Sequence, residues 1–299
     1  MKLNFTTYDV FTDTPFAGNP LAVVWDSDAL SDAQMQTIAR EFNLSETIFV
    51  RAPANPQHAA SVRIFTPGKE LPFAGHPTIG CAIAIAEARH RDSGLDDLIL
   101  VLEEQVGPVR CGVKFSANAA SFAGFAAPKL SAPAGADPSA AAAAKALGLA
   151  ESDIGFDKHI PSIFSAGVPF AMIPVASAEA LGRASPAHGA LSPALGATEV
   201  FVYARADGNA AHSFHARMFA PEIGIVEDPA TGSAAAAFAG VLARFEDLAD
   251  GWHTFPILQG AEMGRPSLIG LEVNIENGAL TGARIAGKAV KVSEGVLYV

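Results

Sequence analysis

Polar and apolar residues alternate through 3–11, and 20–25 is apolar almost throughout, so both read as strands, with a turn at Pro15–Asn19 around Gly18. The spacing then becomes helical. Met35, Ile38, Ala39 and Phe42 fall on one face of Ser31–Asn43, and Ser31 with Gln34 makes a capping box. Strands are predicted again at 46–51 and 60–66. Pro77–Ala88 is apolar on nearly every side, which predicts a helix enclosed by protein. Further strands are predicted at 97–103, 108–115 and 120–127. The pattern breaks at 132–150, where Pro and Gly lead into a five-alanine run that reads as a linker and then a helix from about Pro138. A boundary near Lys129 gives an N-terminal domain, 1–129, and a C-terminal domain, 130–299, whose last strand can pack on the first. The second half supplies strands near 169–175, 198–205 and 212–220, an apolar helix from Gly232 to Arg244, and short strands to Val299.

One pattern occurs twice. Arg63-Ile-Phe-Thr-Pro67 is followed by Gly75-His-Pro-Thr-Ile-Gly80, and Arg217-Met-Phe-Ala-Pro221 by Asp228-Pro-Ala-Thr-Gly-Ser233. Pro67 to Thr78 is 11 residues and Pro221 to Thr231 is 10, so one deletion aligns them and sets His76 against Asp228. The expectation is α+β: two pseudo-symmetric lobes, each a curved sheet wrapped round a buried helix, with two helix N-termini meeting a ligand in a cleft. Free N–H groups and a partial positive charge there suit a carboxylate.

Composition narrows the function. With 299 residues, half of them hydrophobic and 17% charged, the chain can bury two cores. A net charge of −11 without a basic cluster argues against a nucleic-acid partner. The N-terminus lacks the apolar core of a signal peptide, and no apolar run reaches membrane-spanning length, so a cytoplasmic protein without a membrane partner is expected. The sequons at Asn4 and Asn43 then occur by chance. Cys81 and Cys111 form no metal or redox pattern and read as buried thiols.

A few side chains carry candidate chemistry. Glu46 stands where a capped helix ends and an apolar strand begins, a place that suits a base of raised pKa; a solvated turn residue is the alternative. His76 lies in the first turn of the buried helix, either orienting a base or capping the turn. Asp228 reads as an N-cap or as the partner of His76 across the lobes, while Thr231, Gly232 and Ser233 offer hydroxyls and unhindered N–H groups to a carboxylate. His212 and His215, three apart in a predicted strand, would face opposite sides and chelate no common metal. HExxH, Walker, GxGxxG and GxSxG motifs are absent, which leaves acid–base chemistry with no cofactor and no metal.

The blocks DVFTDTPFAGNPLAVV (9–24), LSETIFV (44–50), FTPGKELPFAGHPTIG (65–80) and EDPATGSAAAA (227–237) resemble, in order, those of the PhzF-like isomerases of the diaminopimelate-epimerase-like superfamily. The resemblance implies two lobes, each a strand barrel round a central helix, and a homodimer. It makes Glu46 the general acid/base, with His76, Asp228 and Ser233 as partners and the Gly75 backbone against the substrate. The implied reaction, in the phenazine enzyme, isomerises trans-2,3-dihydro-3-hydroxyanthranilate.

Racemases of this fold place one cysteine at each helix start, near Ala74 and Pro229 here, and neither cysteine of this chain is there. The sequence therefore points to a cofactor-independent isomerase that moves a proton between carbons of a small cyclic or unsaturated carboxylate. The rivals are a double-bond isomerase acting on an aliphatic acid and a catalytically silent small-molecule-binding protein.

Overall fold

The computed structural model describes residues 1–90, 94–115, 120–186, 191–206, 208 and 212–299. They divide into two compact units, Met1–Ala126 with Ala286–Val299, and Ala127–Ile285.

In the first unit, β1 (Lys2–Val10) runs antiparallel to β2 (Asn19–Val24). Helix α1 (Asp32–Phe42) then carries the chain over to β3 (Glu46–Arg51), parallel to β2. The helix starts at the expected Ser31–Gln34 capping box and stops at Asn43, whose φ of 51° is left-handed. Its apolar face, Met35, Ile38 and Ala39, packs against Leu3, Val24, Phe49 and Phe65. β4 (Ala60–Phe65) and β5 (Glu70–Leu71) follow as antiparallel neighbours, and α2 (Gly75–His90) leads into β6 (Asp97–Glu104), parallel to β4. β7 (Gly107–Lys114) and β8 (Ser121–Ala126) complete the antiparallel run.

The second unit contains β9 (Ala132–Pro133), α3 (Ala140–Leu147), β10 (Ser162–Ser165), β11 (Pro169–Pro174), α4 (Ala178–Arg183) and α5 (Leu191–Leu195). It continues with β12 (Glu199–Arg205), β13 (Phe214–Ala220), β14 (Ile225–Asp228), α6 (Gly232–Phe245), β15 (Gly251–Gln259) and β16 (Ser267–Glu276). β17 (Ala279–Tyr298) begins in this unit and ends in the first.

The repeat in the sequence is a repeat of topology. β10–β11 is antiparallel, β11–β12 parallel, β12–β13 and β13–β14 antiparallel, β13–β15 parallel and β15–β16 antiparallel. The pairs β1–β2, β2–β3, β3–β4, β4–β5, β4–β6 and β6–β7 run in the same succession. Each parallel join requires a crossover, and helices supply it. Antiparallel pairing of β17 with β1 and its junction with β8 close the first unit into an eight-stranded barrel of β1, β2, β3, β4, β6, β7, β8 and β17. The fold is thus α+β, as the sequence predicted.

Each unit's sheet surrounds one helix. α2 is buried continuously from Gly75 to Ala86, and Ile79, Cys81, Ile83 and Ile85 are fully enclosed. Burying one such aliphatic side chain is worth about 1.5–3 kcal/mol, which holds the helix against the wall without an amphipathic face. α6 is similarly enclosed from Ala234 to Leu242. Cys81 on α2 and Cys111 on β7 are both fully buried, as expected.

The C-terminal third differs from the short strands expected. β15, β16 and β17 are 9, 10 and 20 residues long. Glycines inside β17 admit rings where they look like breaks: a Cβ on Gly287 would lie 2.4 Å from Phe11, and one on Gly295 2.7 Å from Phe5. No helix of the described residues is long and apolar enough to cross a membrane.

Candidate active site

Glu46 is the first residue of β3 and pairs with Leu21 of β2. Leu21 faces the central helix, since a Cβ on Gly80 would meet its Cδ2 at 2.6 Å. In-register partners on paired strands share a face, so Glu46 is directed inward as well. There it meets His76, the second residue of α2, whose Nδ1 is 3.3 Å from Glu46 Oε2. The His76 side chain is 4% exposed and that of Glu46 14%.

Enclosure dominates the imidazole: burial pushes the His76 pKa down to about 3, so the ring is neutral at working pH. The contact is therefore a carboxylate beside a neutral imidazole, although its distance would suit an ion pair. A neutral ring carries one N–H. Beside an ionised Glu46, the favoured proton position is Nδ1, leaving a lone pair on Nε2. When Glu46 is protonated it can donate to Nδ1, and the proton of the ring then sits on Nε2. Nε2 is buried and has no hydrogen-bond partner among the described residues.

The second unit holds another polar cluster. β14 ends at Asp228, and Thr231 is the N-cap of α6. The Thr231 hydroxyl does not cap the helix; it donates to Asp228 Oδ2 at 2.6 Å. Gln259, the fully buried last residue of β15, organises both. Its Oε1 accepts from the Thr231 amide at 3.1 Å, and its Nε2 donates to the Asp228 carbonyl at 2.7 Å and to Thr231 Oγ1 at 3.1 Å. Gly260 next to it has φ +76°, and a Cβ there would lie 2.6 Å from the Pro229 carbonyl oxygen. With the Thr231 side chain turned to Asp228, the first-turn N–H groups at Gly232 and Ser233 keep their capacity for an anionic group.

Glu46, His76 and Gly75 therefore come together in the first unit, and Asp228, Thr231, Gly232 and Ser233 in the second. The helix register corrects the repeat as first aligned. The first helical bonds are Thr78 N–H to Ala74 and Ala235 N–H to Thr231, so Ala74 corresponds to Thr231 and His76 to Ser233. Asp228 lies on β14, before the helix, and is neither its N-cap nor the counterpart of His76. A further correction concerns His212, which precedes β13; its ring centre is 6.1 Å from that of His215, whose Nε2 is 3.2 Å from Glu262. Among the described residues no group of three or more such side chains forms a metal cluster.

Sequence reasoning missed Gln259, whose partners are mostly backbone atoms far away in the chain. It also missed a duplicated ion pair. Arg63 on β4 holds Glu70 on β5 in a two-pronged pair, with Nη2 to Oε2 at 2.6 Å, and Arg217 on β13 holds Glu227 on β14 with both contacts at 2.8 Å. Both arginines lie inside the quoted repeat, and the two carboxylates stand beside it.

A family model described as phenazine biosynthesis-like protein matches residues 8–295. An uncharacterized isomerase of Mesorhizobium japonicum is 49% identical over 99% of each chain. The trans-2,3-dihydro-3-hydroxyanthranilate isomerase of Pseudomonas fluorescens is 37% identical over 98% of this chain and 99% of its own. A solved structure of a PhzF-family protein from Bacillus anthracis superposes with a TM-score of 0.86 at 25% identity, covering 100% of both chains.

Proposed function

The chain belongs to the phenazine biosynthesis-like family, whose relatives are isomerases, and from that premise we propose that it moves a proton between carbons of a small cyclic or unsaturated carboxylate, with Glu46 as the acid/base. The observation that carries this reading is the approach of the Glu46 carboxylate to a neutral, enclosed imidazole whose outer nitrogen has no partner among the described residues. An orphaned buried nitrogen costs about 1–3 kcal/mol, and a polar group of the substrate removes that cost.

Proton transfer between two carbons leaves the oxidation level of the substrate unchanged, so a carboxylate suffices as the chemical agent and the reaction is cofactor-independent. Glu46 takes the proton and returns it to a second carbon. His76 steadies Glu46 and shifts its own proton in step. In the second unit, Asp228, held by Thr231 and Gln259, orients a substrate heteroatom, while the N–H groups of Gly232 and Ser233 bind the carboxylate. The Gly75 backbone contacts the substrate. The homodimer and the cytoplasmic location implied by the resemblance belong to this reading.

The test is proton NMR of trans-2,3-dihydro-3-hydroxyanthranilate with the protein in deuterated water, beside Glu46→Gln. Conversion by the wild type alone is expected. Equal conversion by the variant would remove Glu46 from the reaction, and no conversion by either would exclude this substrate.

A further inference from the structure

Glu104, the last residue of β6, is a buried carboxyl for which the proposed chemistry has no use. Its Oε1 is 2.8 Å from the hydroxyl oxygen of Thr78, on the first turns of α2, and that same oxygen is 2.7 Å from the carbonyl oxygen of Ala74. A hydroxyl has one proton to give, and a carbonyl can only accept. Both contacts are hydrogen bonds only when Glu104 donates to Thr78 and Thr78 donates to Ala74. An ionised Glu104 would leave one of them as an unrelieved oxygen–oxygen approach inside the protein.

We propose that Glu104 is a protonated positioning residue that, through Thr78, locks the Ala74 carbonyl and so the turn presenting Gly75 and His76. This rests on the reading that His76 works with Glu46. Ala74 supplies the acceptor of the first bond of α2, from the Thr78 amide at 3.2 Å, so its carbonyl orientation sets the course of the next two residues. The side chain of Thr78 thus ties the start of the helix to the barrel wall.

The surroundings favour the neutral acid. Glu104 is 8% exposed, and its Oε2 is buried with no partner among the described residues. The titratable and charged groups around it are Cys81 of α2 and Cys111 of β7, both kept as neutral thiols by burial, with the Arg89 cation acting on Cys81. Burial raises the Glu104 carboxyl to about 8. Because the folded pKa lies above the usual 4.5, the stabilisation is complete below 4.5 and is lost as pH rises through about 8.

The experiment compares wild type, Glu104→Gln and Glu104→Leu. Glutamine keeps a donor toward Thr78 but does not titrate in this range; leucine fills the space without donating. Infrared difference spectra between pH 6 and 9, without substrate, should contain a neutral carboxylic-acid carbonyl band that disappears at high pH and is missing from Glu104→Gln. Amide exchange at Thr78 should be equally slow in wild type and Glu104→Gln at neutral pH and at least tenfold faster in Glu104→Leu. In turnover, wild-type kcat should fall about tenfold at one pH unit above the Glu104 pKa, while Glu104→Gln should keep its rate and both should keep their KM. Absence of the acid band, or equal Thr78 exchange in Glu104→Leu and wild type, would overturn the proposal. Because those two readouts need no substrate, they separate its failure from failure of the functional reading.

Discussion

Glu199 stands in the second unit where Glu46 stands in the first. Each opens its strand, Glu46 in register with Leu21 and Glu199 with Phe170, and each lies three residues before the position paired with the repeat arginine, Phe49 with Arg63 and Val202 with Arg217. The helix position matching His76 is Ser233, so the carboxylate is duplicated and the imidazole is not. On the proposed mechanism Glu46→Gln lowers kcat/KM by about 10²–10⁴-fold, the usual scale for losing a general base. Glu199→Gln should stay within about threefold of wild type, and steady-state kinetics of the two variants would decide it.

His76 makes stability depend on acid. Its folded pKa of about 3 lies below the usual 6.5, so the unfolded chain binds the proton more readily. The contribution is present above pH 6.5 and is lost as pH falls toward 3. At pH 5 the difference is 1.5 pKa units, about 2 kcal/mol. Urea unfolding of wild type and His76→Asn at pH 7 and pH 5 should show the variant losing less on acidification by about that amount.

Gln259 is expected to matter as much as the residues it holds. Truncation to alanine strands the Thr231 amide inside the protein, at about 1–3 kcal/mol for a buried group left unpaired, and removes the donor to the Asp228 carbonyl. Gln259→Ala should therefore lower the unfolding free energy by at least about 1–3 kcal/mol and kcat/KM by at least tenfold. Thr231→Ser, which keeps the hydroxyl on Asp228, should lose far less activity than Thr231→Val in the same assay.

Gly80→Ala sets two effects against each other. Alanine gains about 1 kcal/mol of helix propensity over glycine. Its methyl would stand 2.6 Å from Leu21 Cδ2 and 2.8 Å from Val10 Cγ2, both on fully buried side chains. Overpacking of this kind costs about 1–3 kcal/mol, so a net loss of up to about 2 kcal/mol is expected, measurable as a lower Tm. If the helix start shifts away from the wall, kcat falls with it.

The two central helices are legible in the sequence because residues 79–86 and 234–242 are apolar on all sides, which only enclosure explains. The capping box of α1 is legible too, since its partners are three residues apart. Matching the repeats by their prolines misled, because α2 starts eight residues after Pro67 and α6 eleven after Pro221. The second copy adds a turn at Pro221–Ile223 ahead of β14, the longer counterpart of β5. Glu104 and Gln259 are illegible for another reason. A lone acid at a strand end and a lone glutamine acquire meaning only from partners 26 and 28–31 residues away, and sequence spacing carries no trace of those contacts.

The last strand has a consequence for biosynthesis. Leu3 pairs with Leu297 and Val10 with Ala289, so the N-terminal barrel is closed by a segment translated after the whole of 127–285. A ribosome-bound chain holds β1 as an open edge while the second unit, save for its own share of β17, is already available to fold. The part synthesised first is thus completed last, and its pairing has a very large sequence separation, the kind that slows folding. Stalling or truncation before residue 289 would leave β1 unpaired on that side and prone to strand exchange with a neighbouring chain.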